Sequence, residues 1–390
     1  MNKKIMTILA AAATLFTAGI SSVAFTAELF GIQASGDSIF IIQRMPDVED
    51  VKNNKDLIKA TLAFSLKLTK EFENNGKLVV RFKGGEGNGL NENLQIYSKI
   101  NEATDTDPEF LRPITVLKNT ELFYQQSFLD NKFTVNFGKF GLGTHFAGNN
   151  YAGDKNSQFL TGSFSSDKTI DAPPPLIALR LNYVMTDIDI DYAHFLTKDD
   201  LNLNNFNFNL NKKLDILQVT YKPYKGGNYR IYTWTTNADY YSYENAKKYG
   251  TCGIGISADH AINERIGVFA RIGHKNPYVG TKVEDTKTHQ LVFRLPLSSL
   301  WNIGIQIKST NDDVLGFAIG RISGSSVLEN KKIENHKYGT ETQIELYYKH
   351  KINNNIAVIA NLQYLTNLKG GNAPYKYDIV VTGIRALITF

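Results

Sequence analysis

The sequence predicts an all-β protein, a 16-stranded antiparallel transmembrane β-barrel with short periplasmic turns and long extracellular loops. Three observations predict it: apolar residues recur at every second position in one segment after another, short and long connections alternate along the chain, and the strand count is even. Apolar residues make up 42% of the 390 and charged residues 21%, with 20 Tyr and 23 Phe. That composition excludes a collagen-like or disordered chain. A polytopic helical membrane protein is excluded too, because it would need several apolar runs of about 18 residues or more. The single cysteine, Cys252, excludes an intrachain disulfide framework and a multi-cysteine metal site.

The chain opens with Lys3 and Lys4, an apolar stretch from Ile5 to about Ile20, and small residues at Ser22 and Ala24. This is the pattern of a secretory signal peptide over residues 1–24, leaving residues 25–390 as one barrel domain. Two units of the formal charge of +5 belong to Lys3 and Lys4. What remains is near neutral and gives no reason to expect a nucleic-acid partner.

The first strand is expected from Gly31 to Gln43. In the next, Leu62, Phe64, Leu66 and Leu68 alternate with Ser65, Lys67 and Thr69, a period of two that a helix cannot use. Leu78, Val80 and Phe82 then alternate with Arg81 and Lys83, Phe133, Val135 and Phe137 with Thr134 and Asn136, and Leu179, Leu181 and Tyr183 with Arg180 and Asn182. Near the end, Ile344, Leu346 and Tyr348 alternate with Gln343 and Glu345, and Val380, Ile384, Ala386 and Ile388 with Gly383, Arg385 and Thr389.

Short connections fall at Glu73 to Gly76, Leu129 to Lys132, Thr186-Asp187, Lys225 to Gly227, Ala261 to Glu264, Ser309 to Asp313 and Lys351 to Asn355. Long polar ones occupy about 44–60, 85–119, 141–176, 199–213, 237–250, 274–300, 323–339 and 366–376. Seven turns and eight loops join sixteen strands and leave both chain ends on the short-turn side, as in a bacterial outer-membrane barrel. Leu291 to Leu297 also reads as a strand, but admitting it would make the count odd, so it is kept inside the sixth long loop.

A sheet can span a bilayer only if it closes on itself, and then its outer face is apolar while its lumen can be wet. A mean hydropathy of −0.25 is therefore compatible with a membrane protein. A soluble β-sandwich also alternates, but neither the sixteen strands nor the regular short-long order suits it. The chain ends Ile388-Thr389-Phe390, and Phe390 resembles the terminal aromatic by which the barrel-assembly machinery recognises its substrates.

Several segments together resemble the OprB family of carbohydrate-selective porins. They are Leu122 to Ser127 with Phe133 to Phe140, Ala178 to Tyr183, Gly227 to Arg230, Gly255 to Asp259, Gly267 to Arg271, Asn311 to Phe317, Ile344 to Tyr348, Asn361 to Tyr364 and the last strand. The set runs in family order over essentially the whole chain after residue 24. The resemblance implies an outer-membrane porin, in contact with outer-membrane lipid, that passes small carbohydrates such as glucose by facilitated diffusion and needs no cofactor. It departs from the family in carrying only two tryptophans, Trp234 and Trp301, and in lacking a proline in Asn367 to Asn372. Monomer and homo-oligomer are both compatible with it.

Strand parity nominates the pore lining: Arg81, Lys83, Glu121, Gln125, Arg180, Asn182, Arg230, Tyr232, Trp234, Asp259, Arg271, Glu345, Asn361, Gln363 and Arg385. A sugar hydroxyl both donates and accepts, so guanidinium, carboxylate and amide groups beside an aromatic face suit a sugar. The same charges would also be expected simply to pair across a wet wall. Arginines on several strands would equally favour anions, so a channel of broader or anionic selectivity is the alternative, as is a surface antigen or adhesin on the same scaffold. A sixteen-stranded barrel is wide, and the segment Gly141 to Leu176, stiffened by Pro173-Pro174-Pro175, is the candidate to narrow it.

Other groupings read as structural. Asp187, Asp189 and Asp191 share a face but lack the glycine and terminal glutamate of a calcium loop, so no metal is expected. Gly84 to Gly89 opens no helix and reads as a loop rather than a nucleotide-binding turn. His145, His194 and His350 are scattered and no serine sits in a nucleophile elbow, so no catalytic residue is assigned.

Overall fold

The computed structural model describes residues 31–46, 56–87, 89–94, 96–103, 118–170, 176–196, 212–223, 226–242, 247–280, 282–284, 291–293, 297–325, 327, 339–371 and 378–390. The expected signal peptide and the Pro173 to Pro175 run lie outside these residues. No helix among them is long and apolar enough to cross a membrane.

Sixteen strands form one closed antiparallel sheet: β1 Ile32–Met45, β2 Leu57–Glu71, β3 Gly76–Glu86, β4 Lys118–Phe128, β5 Phe133–Phe140, β6 Leu176–Val184, β7 Ile188–Leu196 and β8 Lys213–Tyr221. The second half is β9 Gly227–Ser242, β10 Lys248–Ala261, β11 Ile266–Lys275, β12 Leu297–Lys308, β13 Val314–Gly324, β14 Thr340–Lys351, β15 Ile356–Thr366 and β16 Ile379–Thr389. Each strand pairs with its sequence neighbour. The sheet closes where β1 meets β16 in a register from Asp37↔Thr389 to Arg44↔Thr382. Gly36 and Phe390 extend that seam with a reciprocal pair of backbone hydrogen bonds of 2.8 and 3.0 Å.

The alternation decides which face is which. Leu122, Phe137, Ile231, Ile256, Ile272, Ile303, Leu346 and Ile384 point outward and are exposed, whereas the buried side chains of the same strands point inward and are mostly polar. The apolar surface is thus the outer surface of the barrel, the inverse of a soluble domain. Tight turns follow from local chemistry. In the β10–β11 turn Asn263 Oδ1 accepts from the Arg265 and Ile266 amides, and in the β14–β15 turn Asn353 Oδ1 accepts from the Asn355 and Ile356 amides, each side chain standing in for a backbone turn.

Two details differ from expectation. The fifth long loop shrinks, because β9 continues to Ser242 and β10 resumes at Lys248, the ladder continuing through Tyr240↔Tyr249 with a register shift before Thr251. Val279–Gly280 adds a two-residue pairing to the end of β9. Leu291–Phe293 pairs with Lys282–Glu284 in a separate small hairpin and joins no barrel strand, while β12 starts at Leu297, earlier than the alternation suggested.

Inside the barrel, rings lie across cross-strand glycines. A methyl at Gly255, Gly304 or Gly316 would sit 2.2 to 2.4 Å from the rings of Tyr232, Phe269 and Tyr347, each the cross-strand partner. The missing side chains are what let these rings lie flat against the wall.

Candidate functional site in the lumen

The nominated lining residues all lie on the inward face, but the lumen divides them into two groups. The first pairs along the wall. Arg81 Nε faces Glu121 Oε2 at 3.3 Å, Arg180 is ion-paired with Asp191, and Arg230 Nη1 donates to Asp259 Oδ2 at 2.5 Å, where Asn228 Nδ2 also donates to Oδ1 at 2.7 Å. Asn136 Nδ2 donates to Gln125 Oε1 at 3.3 Å, Arg180 Nη1 donates to Asn136 Oδ1 at 3.1 Å, and Asn182 Nδ2 reaches Ile190 O at 3.5 Å. Such pairing is what a partly desolvated charge requires.

The second group holds a loop. Residues 141–170, between β5 and β6, fold into the lumen instead of outward. Glu345 takes the amides of Leu160 and Thr161, one on each carboxylate oxygen, both at 2.8 Å. Gln363 Nε2 donates to Thr161 Oγ1 and Ile100 O, both at 2.7 Å. Arg271 Nη1 donates to Phe164 O at 2.7 Å, and Arg385 Nη2 donates to Gln158 O at 2.7 Å. Asn302 Nδ2 donates to Ser163 O at 2.5 Å, and the Ser163 hydroxyl donates to Gln343. From the other walls, Gln218 accepts from the Ala147 amide at 2.8 Å, Ser257 donates to Gly148 O at 2.8 Å, and Tyr232 donates to Asp167 at 2.6 Å.

Apolar contacts complete the docking. Phe159 meets Tyr347, Phe269 and Phe164 at ring-centroid distances of 4.9, 5.5 and 5.6 Å. Burying a side chain of this size contributes about 2 kcal/mol. A second segment, residues 89–94 and 96–103, lies above the loop: Leu90, Leu94, Ile96 and Ile100 pack on Met45, Leu365, Ile379 and Val381, and the Gly162 amide donates to Lys99 O at 2.8 Å. Burial pushes the Glu102 carboxyl up, but Lys168 at 2.8 Å, with Lys155 and Lys99, holds it below the ordinary value, so it stays charged where the two segments meet. His145 is pushed down to about 3 by burial beside Arg180 and Lys67, and its neutral ring stands edge-on to Phe140 and Phe123.

Glu345, Gln363, Arg271 and Arg385 are at most 1% exposed, so a solute cannot reach them while the loop is docked. Asp259 and Trp234 are buried as well, and the Asn361 amide faces Gly383 from the inner wall. Of the nominated residues, Arg81 on β3 keeps a side chain 26% exposed, Lys83 and Gln125 on β3 and β4 are half-buried, and Arg180 and Arg230 keep 12% and 11%.

Parity reasoning also passed over Asn302, Gln218, Ser257 and Gln343, which anchor the loop. Gln343 shares a face with Glu345 and could have been found that way, but the loop atoms that select these residues carry no periodic signal. Asp189 pairs with Lys222, and no group of three or more His, Cys, Asp or Glu that could hold a metal occurs among the described residues. His194 hydrogen-bonds Asp215 at 2.7 Å, and His350 meets Asp313 at 3.0 Å beside a short turn.

A family model described as the carbohydrate-selective porin, OprB family, matches residues 28–390. No curated protein matches the sequence. Among solved structures, the high-pH form of OprB from Pseudomonas putida superposes with a TM-score of 0.72 at 16% identity, covering 92% of this chain and 94% of that one. The trimer form of OmpT from Vibrio cholerae gives 0.55 at 10% identity over 92% and 99%, and an anion-selective porin from Comamonas acidovorans gives 0.54 at 9% over 92% and 99%. At these identities the structural likeness is one of fold.

Proposed function

The chain belongs to the OprB family of carbohydrate-selective porins of the bacterial outer membrane, and from that premise we propose that it passes monosaccharides such as glucose by facilitated diffusion along the β3–β4 side of the lumen. The observation that carries this reading is the docked loop. By packing against β8 to β16, with a further contact from Thr144 to Glu121 on β4, it leaves Arg81, Lys83 and Gln125 as the polar groups a hydrated sugar would meet first. Guanidinium, ammonium and amide groups donate to sugar hydroxyls, and the Gln125 carbonyl accepts from them. No energy source enters, because the solute follows its own gradient.

Liposome swelling with sugars of graded size tests this. Glucose should enter faster than its mass alone predicts, and Arg81→Ala should lower that excess; uptake in simple order of mass, unchanged by the substitution, would refute selective passage. We further propose that residues 1–24 are removed on export, that Phe390 serves recognition by the assembly machinery, and that the outer face meets lipid. Association of copies, as in the OmpT trimer form, is tested by the mass of the detergent-extracted particle.

A further inference from the structure

On the short-turn side of the docked loop, a cleft of about 260 Å³ opens between the loop and the start of the barrel seam. Asp37, Lys67, Arg81, Asp154, Asn156 and Phe390 line it. It lies beyond the loop as a solute leaves toward the periplasm.

Of its charged side chains, Lys67 alone has neither a hydrogen bond nor an ion pair among the described residues. Asp37 accepts from Asn156 Nδ2 at 2.7 Å, is repelled by Asp154 and is attracted by Lys83 and Arg81. Asp154 accepts from the Asn156 amide at 2.9 Å and from the Ser157 hydroxyl, and its charge is felt at Lys349 and Arg385. The Phe390 main-chain oxygen accepts from the Gly36 amide, and Arg81 faces Glu121. Lys67 stands directly across the ladder from Arg81, a like-charge juxtaposition that destabilises a sheet unless an anion separates the two. Glu121 acts on Lys67 only at longer range, because its carboxylate is engaged by Arg81 and by Thr144 Oγ1 at 2.8 Å. Asn156 Oδ1, buried in the cleft wall, accepts no hydrogen bond.

We propose that this cleft is an exit-side subsite for a monosaccharide bearing an oxyanion, with Lys67 and Arg81 flanking the anionic group and the Phe390 ring lying against the C–H face. The inference rests on the sugar-channel reading and narrows it, adding sugar acids to the solutes the channel holds. A neutral sugar leaves Lys67 without a counter-charge; gluconate supplies one.

The test uses the full-length refolded protein in planar bilayers at low salt, reading solute binding from interruptions of the ion current with gluconate, glucose 6-phosphate, glucose or acetate added. Gluconate should bind about fivefold more tightly than glucose, the ratio a single partly exposed ion pair supports, and that ratio should shrink as salt rises. Glucose 6-phosphate should share the preference, and acetate should not. Lys67→Gln should bring the gluconate-to-glucose ratio to about one, and Lys67→Arg should restore it. Equal binding of gluconate and glucose by the unsubstituted protein overturns the proposal without any variant, and so does a preference that survives Lys67→Gln. Acetate binding as tightly as gluconate would make the cleft a general anion site and overturn the sugar assignment. Glucose binding without gluconate binding sinks this inference alone; a conducting channel that neither sugar interrupts sinks the carbohydrate reading with it.

Discussion

Glu345 holds two loop amides from a fully buried position, and this makes it a lock rather than a solute contact. Replacing Glu345 with Ala removes two charge-assisted hydrogen bonds and should weaken loop docking by about 3 kcal/mol. Single-channel recording should show a larger, noisier conductance than in the unsubstituted protein, while the heat-modifiable gel shift of the folded barrel persists. An unchanged conductance would mean that the loop does not need this anchor. His145 gives the docking a pH dependence of defined sign. Its docked value lies near 3 against an ordinary 6.5, so the released loop takes up a proton first as pH falls. Docking is strongest above 6.5 and weakens through the window down to 3. Current noise should rise as pH is lowered through that window, and His145→Phe, which preserves the edge-on ring contacts, should flatten the rise.

The strands were legible because an apolar outer face and a polar inner one impose a period of two that no helix shares, and Asn-led turns mark where the period breaks. The inward faces of Arg81, Glu121, Arg230 and Glu345 were legible for the same reason. What each of them touches was not. Arg271 meets the Phe164 carbonyl and Arg385 the Gln158 carbonyl, contacts between chain positions more than a hundred residues apart that leave no local trace. The extension of β9 to Ser242 was missed because its tyrosine-rich tail looks like a polar loop until β10 pairs with it. The glycine-ring pairs belong to this scale too. Gly316→Val would drive a side chain into the Tyr347 ring, and the resulting overpacking should cost about 2 kcal/mol. Denaturant unfolding should show a lower midpoint, whereas Gly143→Ala, at a position with open space around its missing side chain, should show little change.

At the scale of the whole barrel, stability depends on closure, since an open seam would expose backbone donors and acceptors to hydrocarbon. Phe390 lengthens the seam through its two bonds to Gly36. Deleting it should lower the amount of heat-modifiable protein recovered from the outer membrane of expressing cells. Comparison with unassisted refolding in detergent then separates a recognition defect from a seam defect: a deficit only in cells points to recognition, and an equal deficit in both points to the seam.

The docked loop is tied at once to Gln218 on β8, Ser257 on β10, Arg271 on β11, Glu345 on β14 and Arg385 on β16, strands that lie around much of the circumference. Ties of this kind make it a cross-brace in the engineering sense. A hollow cylinder squeezed by lateral membrane tension flattens into an ellipse most easily when nothing spans its bore. Here the member that narrows the bore also resists that flattening, so shortening the loop should soften the wall as well as widen the passage.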